Sequence, residues 1–237
     1  MLQRTSTVTS ITRALTSESF QGHRDFTILQ KVNKIAGGKY AEEGQFPFMA
    51  VVHRLLAHSA ISQCGGTVIS KRWVLTAGHC IANIPQRFFV VFGIINKSGI
   101  GYDFNTGYIQ PIRLAGYNEA QETFYQMNAY VIGWGKNQQT ATGTKALKYA
   151  VIPIIGKKEC MRYWKADGRN ICTAAGFGQN ACQGDSGGPL IVMKYDKPLQ
   201  IGIVSYGDAN CPSGRPGVYT RITAFSKWIE SITGIRF

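Results

Sequence analysis

From residue 35 to its end, the chain alternates strand-length apolar runs with turn-forming residues. Glycine pairs and prolines separate the runs, and this punctuation favours antiparallel strands over alternating strands and helices. The runs are also much shorter than the roughly 20 apolar residues that a membrane-spanning helix requires. The pattern predicts an all-β fold. The runs that predict strands are Phe48–Val52, Gly66–Ile69, Trp73–Thr76, Phe88–Phe92, Ala129–Ile132, Leu147–Ile154, Leu190–Met193 and Leu199–Ser205.

Helical spacing of apolar residues occurs near the C-terminus. The residues at positions i, i+3, i+4 and i+7 are Phe225, Trp228, Ile229 and Ile232. This spacing predicts an amphipathic helix, and Thr223 is placed to cap its start. A second, short helix is predicted around Cys160, Met161 and Trp164.

Residues 1–34 differ in composition from the rest of the chain. They are rich in Ser, Thr and Gln and show no strong apolar period. A secretory signal needs an apolar core of about seven to fifteen residues, and this stretch has none. We predict a leader or propeptide-like segment over residues 1–34 and a folded domain over residues 35–237. Whether the true start lies upstream, or delivery follows another route, stays open.

Charge and cysteine content restrict the class of protein. The net charge is +13, but the basic residues are dispersed and no RNA-binding or zinc-finger spacing accompanies them. A solvated basic face is the favoured interpretation, with a polyanion-binding protein as the alternative. The six cysteines indicate an oxidising compartment, and their pairing does not follow from spacing alone. Neither nucleic acid nor membrane is expected as a partner.

One segment concentrates the features of a nucleophile loop. In Cys182-Gln183-Gly184-Asp185-Ser186-Gly187-Gly188-Pro189, three glycines and a proline surround one serine. Such a loop exposes a hydroxyl group and directs backbone N–H groups towards one point, which is how an oxyanion is stabilised. A serine nucleophile also needs a base, and His79 is the leading candidate because it follows a strand-like run in a small-residue turn, Trp73 to Cys80.

Together these segments resemble the signatures of the chymotrypsin–trypsin family of serine proteases. Gly-Asp-Ser-Gly-Gly-Pro is similar to the serine signature, and Thr-Ala-Gly-His-Cys to the histidine signature, with Gly78 where alanine is usual. The family order continues with Lys34-Ile35-Ala36-Gly37-Gly38, Ile132-Gly133-Trp134-Gly135 and Pro216-Gly217-Val218-Tyr219-Thr220-Arg221. The resemblance implies two antiparallel six-stranded-type β-barrels packed together, the first incomplete, with a C-terminal α-helix and the active site between the barrels.

The resemblance implies a role for each matching position. His79 would be the general base and Ser186 the nucleophile that is acylated, while the N–H groups of Gly184 and Ser186 would form the oxyanion hole. Cleavage after Lys34 would free the amine of Ile35 to pair with Asp185. The uncut chain would therefore be a zymogen.

The disulfides and the pocket are also implied by the resemblance. The pairs would be Cys64–Cys80, Cys160–Cys172 and Cys182–Cys211. Asn180 would lie at the base of the primary pocket, with Gly207 and Gly217 on its walls. An open, uncharged pocket predicts cleavage after bulky apolar or aromatic residues, and Asp208 is expected at the rim.

The sequence departs from the family between the histidine segment and the glycine-tryptophan strand. There the family carries an Asp-Ile-Ala-Leu-Leu-like strand whose aspartate orients the histidine, and here several strand lengths are absent. Asp103 is the only acid between Gly93 and Tyr108. It is interpreted either as a loop aspartate, which we favour, or as a replacement for the missing residue. A defective gene model would also explain the gap.

Two functions from different classes remain open. The leading hypothesis is a secreted, monomeric serine endopeptidase that acts on protein or peptide substrates, is activated by another protease and is controlled by protein inhibitors. The alternative is a catalytically inactive homologue that binds a partner through the protease-like surface. No cofactor or metal is expected. Asn96-Lys97-Ser98 fits the pattern of an N-glycosylation acceptor.

Overall fold

The computed structural model describes residues 7–10, 38–55, 61–82, 87–97, 108–136, 143–175, 179–211 and 213–237. Over these ranges the chain forms two sheets and two α-helices. The strands are β1 (Thr7–Ser10), β2 (Lys39–Tyr40), β3 (Met49–Leu55), β4 (Ile61–Val68), β5 (Trp73–Thr76), β6 (Arg87–Phe92), β7 (Arg113–Leu114), β8 (Asn128–Gly133), β9 (Lys148–Ile155), β10 (Asn170–Thr173), β11 (Pro189–Lys194), β12 (Lys197–Tyr206) and β13 (Gly217–Arg221). Each apolar run that predicted a strand overlaps one of them, so the all-β prediction is confirmed.

The second sheet closes into a six-stranded barrel. Its strands follow the order β10, β13, β12, β11, β8 and β9, and β9 pairs back with β10. Full closure leaves none of these six strands with an unpaired edge. The two short strands β2 and β7 attach to β9 and β12 respectively.

The first sheet is curled but open. Its five strands follow the order β1, β5, β4, β3 and β6, all antiparallel. Among the described residues, no pairing joins β6 to β1, so this barrel is incomplete, as the missing strand lengths implied.

The strand β1 comes from residues 1–34, which were predicted to be a leader without a strong period. Its register on β5 runs from Thr7 opposite Thr76 to Ser10 opposite Trp73. Sequence reasoning missed this strand because four polar and β-branched residues give no apolar pattern. Backbone pairing with an otherwise open edge needs no such pattern.

The core joins the two sheets. One cluster of buried residues draws Val51 and Leu75 from the first sheet and Ile132 and Ile191 from the second. Another cluster fills the closed barrel and includes Leu190, Ile201 and Tyr219. Because the first cluster spans both sheets, the loops along their junction are held against a rigid base.

The two α-helices are α1 (Lys157–Cys160) and α2 (Ser226–Thr233). The C-terminal helix was predicted, but Thr223 does not cap it. Residues 222–225 form a 3-10 turn, no side chain caps the helix at Phe225, and the Thr223 carbonyl instead accepts the Ser226 hydroxyl at 3.2 Å. Helix α2 ends at Gly234, whose φ of 71° is left-handed. Neither this helix nor any other in the described part of the chain is long and apolar enough to cross a membrane.

Candidate active site

His79 stands on a turn fixed by buried neighbours. Strand β5 is buried at Val74, Leu75 and Thr76, and a 3-10 turn over Gly78–Cys80 follows it. Cys80 is fully buried and is bonded to Cys64 on β4. The disulfide therefore holds the turn to the sheet while the imidazole of His79 remains accessible.

The His79 ring lies against this disulfide. A ring nitrogen lies within 4.8 Å of the sulfurs of Cys64 and Cys80. Both sulfurs are committed to the disulfide, so they offer no thiolate to a metal ion. The three side chains therefore do not form a metal site, although they lie close together.

Ser186 lies on the loop between β10 and β11 of the second sheet, and this loop contacts the first sheet. The Gly65 N–H on β4 donates to the Ser186 carbonyl at 2.8 Å, and the Cys80 sulfur lies 3.5 Å from the same oxygen. The next residue, Gly187, has a φ of 83°, and a Cβ there would lie 2.2 Å from the Thr76 hydroxyl. Glycine is required at this position by both conformation and space. These contacts bring the serine and histidine segments together across 107 residues of sequence.

Two N–H groups of the serine loop have no acceptor within the described ranges. Two successive turns form it, with the Asp185 N–H donating to the Cys182 carbonyl at 3.0 Å and the Gly188 N–H donating to the Asp185 carbonyl at 2.9 Å. Among the residues that the structure describes, the N–H groups of Gly184 and Ser186 donate to no backbone carbonyl. Two free donors on one turn suit an incoming oxyanion.

Asp185 anchors the loop from inside. Its side chain is 1% exposed, and its two oxygens accept the N–H groups of Gly135 at 2.7 Å and Cys182 at 2.9 Å. A Cβ at Gly133 or Gly135 would lie within 2.4 Å of the carboxylate, which explains why glycine flanks Trp134. The pKa of Asp185 is raised to about 6. Burial raises it, and the two N–H groups and the charge of Lys97 offset part of that increase.

A cavity of about 190 Å³ opens beside Ser186. An engineered cavity of about 150 Å³ binds benzene, so this one admits a single aromatic or large aliphatic side chain. Its lining includes Gly207, Val204, Tyr206 and Tyr219. Tyr206 and Tyr219 were not anticipated from sequence as lining residues, because their approach to the serine depends on how β12 and β13 pair.

Asn180 and Gly217, predicted at the base and on the wall of the pocket, contact each other but are not among the described residues that line this cavity. The Asn180 amide nitrogen donates to the Arg215 carbonyl at 3.2 Å, and its side-chain oxygen accepts the Ala181 N–H at 3.0 Å. That oxygen would lie 2.9 Å from a Cβ at Gly217. Both polar atoms of the Asn180 side chain therefore already bond to backbone groups. Asp208 is one of the residues that line the cavity, and its carboxylate lies 3.6 Å from the Arg215 guanidinium.

The comparisons with known proteins assign this arrangement to a family. A family profile described as Trypsin matches residues 35–101 and 101–229. The chain belongs to the trypsin family of serine proteases. The two matched segments meet at residue 101, inside the stretch between Gly93 and Tyr108 where the sequence departs from the family pattern.

Individual members of the trypsin family are similar to this chain over most of its length. The chain is 30% identical to collagenase of Hypoderma lineatum, over 94% of this chain and 95% of that protein. It is 34% identical to transmembrane protease serine 11C of Mus musculus and 29% identical to serine proteinase stubble of Drosophila melanogaster, but it spans only 56% and 31% of their lengths. The solved structure of HL collagenase superposes with a TM-score of 0.75 at 30% identity, covering 86% of this chain and 100% of that one.

The surroundings of His79 differ from the family pattern. Arg54 donates to the His79 carbonyl at 3.1 Å and to the Ser62 hydroxyl at 2.6 Å. Burial lowers the pKa of His79, and the Arg54 charge lowers it further. No carboxylate of the described residues pairs with His79. Nothing in the sequence pattern indicated that Arg54 would reach the histidine.

Several predicted residues lie outside the described part of the chain. They are Lys34, Ile35, Asp103 and Ser98 of the glycosylation triplet. Asn96 itself is exposed. The structure contains the disulfides Cys64–Cys80, Cys160–Cys172 and Cys182–Cys211, the pairs that the family resemblance implied.

Proposed function

We propose that this chain is a secreted serine endopeptidase that hydrolyses protein peptide bonds through an acyl-enzyme on Ser186. The observation that carries the proposal is the bond from Gly65 to the Ser186 carbonyl, together with the contact of that carbonyl with Cys80. These contacts hold the Ser186 backbone beside the turn that carries His79, and this proximity supports the proposed pairing of nucleophile and base. The N–H groups of Gly184 and Ser186 have no acceptor among the described residues, which supports them as the oxyanion donors that acyl transfer requires.

In the proposed reaction, His79 accepts the Ser186 hydroxyl proton as the oxygen attacks the substrate carbonyl. The tetrahedral oxyanion then accepts hydrogen bonds from the Gly184 and Ser186 N–H groups. Collapse of this intermediate expels the amine, which takes the proton from His79, and water hydrolyses the acyl-enzyme by the same steps in reverse. A lowered pKa keeps the imidazole neutral and able to act as a base.

The proposed substrate preference follows from the cavity beside Ser186. Most of its lining is apolar or aromatic, and Asn180 carries no charge. The one carboxylate among the described lining residues, that of Asp208, lies 3.6 Å from the Arg215 guanidinium. Bulky apolar or aromatic residues before the scissile bond therefore fit best, in extracellular proteins or peptides. Secretion is supported by the three disulfides, which persist in oxidising compartments.

Activation is proposed to follow cleavage after Lys34. The freed Ile35 amine would pair with Asp185, whose buried carboxylate has a raised pKa and is therefore stabilised by an added positive charge. An activating protease and protein inhibitors are the proposed partners, and the enzyme is proposed to act as a monomer.

A fluorophosphonate probe tests the proposal. After limited cleavage at Lys34, we expect covalent labelling of Ser186, abolished by Ser186→Ala and strongly reduced by His79→Gln. Asp103→Asn separates the two interpretations of Asp103, because loss of the orienting aspartate costs about 10⁴-fold in turnover in another family member. If Asp103 is a loop residue, its substitution leaves the labelling rate unchanged. A folded, cleaved protein that does not label rules out the peptidase proposal.

The second candidate is a non-catalytic binding protein. The observation that favours it is that His79 pairs with no carboxylate of the described residues, while the Arg54 guanidinium donates to the His79 carbonyl. This candidate predicts a folded, cleaved protein without labelling, in which Ser186→Ala leaves partner binding unchanged.

Peptide substrates test the pocket. Substrates with Phe, Tyr, Leu or Met before the scissile bond are expected to be cleaved faster than those with Lys or Arg. Gly207→Val places a branched side chain at the cavity lining and should suppress cleavage after Phe far more than cleavage after Ala. Equal losses for both substrates would contradict the assigned cavity.

A further inference from the structure

Lys97 extends from the end of the first sheet towards the serine loop. It follows β6 after the turn at Gly93, and its backbone N–H donates to the Lys145 carbonyl at 2.9 Å. The adjacent residue Asn96 bridges to Ala146. These backbone contacts fix the base of the Lys97 side chain, which is only partly exposed.

The Lys97 ammonium group is held by Gln63. Its nitrogen donates to the side-chain oxygen of Gln63 at 2.7 Å. The other end of the same amide, the Gln63 nitrogen, lies 3.7 Å from where a Cβ of Gly184 would be. Gln63 therefore lies between the ammonium group and the residue that supplies one of the two candidate oxyanion donors.

Lys97 and Asp185 also act on each other through their charges. Burial lowers the pKa of Lys97 to about 8, and the charge of Asp185 opposes this shift. Of the described cations, Lys97 is the one whose charge lowers the pKa of Asp185. A fully buried carboxylate without a positive charge nearby is costly, so this pairing favours the ionised, inward-facing form of Asp185.

We propose that Lys97 is a positioning residue: its ammonium group provides the positive charge near Asp185 in the uncut chain and, through Gln63, holds the Gly184 loop in place before cleavage. The inference rests on the proposed function, because it concerns the oxyanion hole of that same site. The uncut chain then has a formed serine loop and part of its activity. Cleavage at Lys34 adds a second cation at Asp185, and dependence on Lys97 falls.

The experiment compares an uncut form, fixed by Lys34→Gln, with the cleaved wild-type form. In each form Lys97→Met removes the charge at similar length, and Lys97→Arg retains it. Lys145→Met is the matched control, because it removes an exposed neighbouring charge without altering the Gln63 contact. The readouts are the rate of fluorophosphonate labelling at Ser186 and the hydrogen exchange of the amides of residues 182–188.

In the uncut form, Lys97→Met is expected to slow labelling and to speed amide exchange, each by about tenfold, the effect of losing one charge-assisted hydrogen bond. Lys97→Arg should restore most of both, and Lys145→Met should change neither. In the cleaved form the losses from Lys97→Met should be several times smaller. Equal changes of labelling and exchange in the two forms would show that Lys97 only stabilises the fold, and they would overturn the inference. An uncut Lys97→Met protein whose labelling and exchange match those of its parent would overturn it as well.

Exchange requires no catalysis, so the two proposals can fail separately. Exchange that depends on Lys97 in a protein that never labels would leave the positioning role intact and reject the peptidase. Labelling and exchange that are both insensitive to Lys97 would leave the peptidase intact and reject the positioning role.

Discussion

The closed barrel and the open sheet contribute differently to the same site. The barrel of β8 to β13 supplies Ser186, Asp185 and the cavity, and its six main strands have partners on both sides. The first sheet supplies His79 from β5, whose outer neighbour is the four-residue strand β1. The closed barrel itself therefore holds the pocket half of the site. The histidine half depends on the Cys64–Cys80 disulfide and on the short strand β1 at the edge of the first sheet.

The largest expected effect comes from two matched core truncations. Leu190 in the closed barrel and Leu75 in the open sheet are both fully buried. Leu190→Ala should cost about 4–5 kcal/mol of unfolding free energy and Leu75→Ala about 2–3, because a more open sheet relaxes into the cavity more readily. Urea unfolding measures both values. Equal costs would show that the open sheet is packed as rigidly as the barrel.

The Cys64–Cys80 disulfide at the histidine turn is expected to affect both the unfolding free energy and the rate of Ser186 labelling. Replacing Cys64 and Cys80 by alanine removes a link with a sequence separation of 16 and should cost about 3 kcal/mol. It should also slow Ser186 labelling, because a ring nitrogen of His79 lies within 4.8 Å of those sulfurs. The control replaces Cys160 and Cys172, separated by 12 residues. Removing the second pair should lower the unfolding free energy by about as much as removing the first, but it should slow labelling less. A larger loss of labelling from the second pair would contradict the role assigned to the first.

Asp185 at the junction of the two regions predicts a dependence of stability on pH. Its pKa is raised from 3.8 to about 6, which corresponds to about 3 kcal/mol. Between these values the unfolded chain releases a proton that the folded chain retains. The unfolding free energy of the uncut protein should therefore fall as pH rises from about 4 to 6.

Denaturant unfolding at several pH values, compared with Asp185→Asn, measures this contribution. The variant lacks the titrating group, so the difference between the two proteins should change across this window. A constant difference would mean that Asp185 titrates at its ordinary pKa.

The smallest expected effect concerns Arg54. Its charge lowers the pKa of His79 by less than burial does, so Arg54→Ala should raise that pKa only in part towards its ordinary value. NMR titration of the His79 ring measures it directly, and the acid limb of Ser186 labelling should move to higher pH by the same amount. Arg54→Lys is the control that retains the charge. A shift of equal size in the Lys variant would assign the effect to lost packing.

Much of the closed barrel could be predicted from sequence, because its strands are apolar runs bounded by turn residues. The strand β1 and the cap of α2 could not. Four polar and β-branched residues show no period, and the preference for a cap at Thr223 gave way to the 3-10 turn that places Phe225 at the start of the helix.

The sequence by itself determined the family, the serine and histidine segments and the glycines around Asp185, because those features depend on contiguous residues with particular conformations. Only the tertiary structure decided that the Asn180 side chain bonds to backbone groups, that Arg54 reaches His79 and that Lys97 bonds to Gln63 beside the serine loop. Long polar side chains leave no local pattern that reveals their partners. Their positions depend on which strands pair and on how the two sheets pack, and the residues that meet there are far apart in the chain.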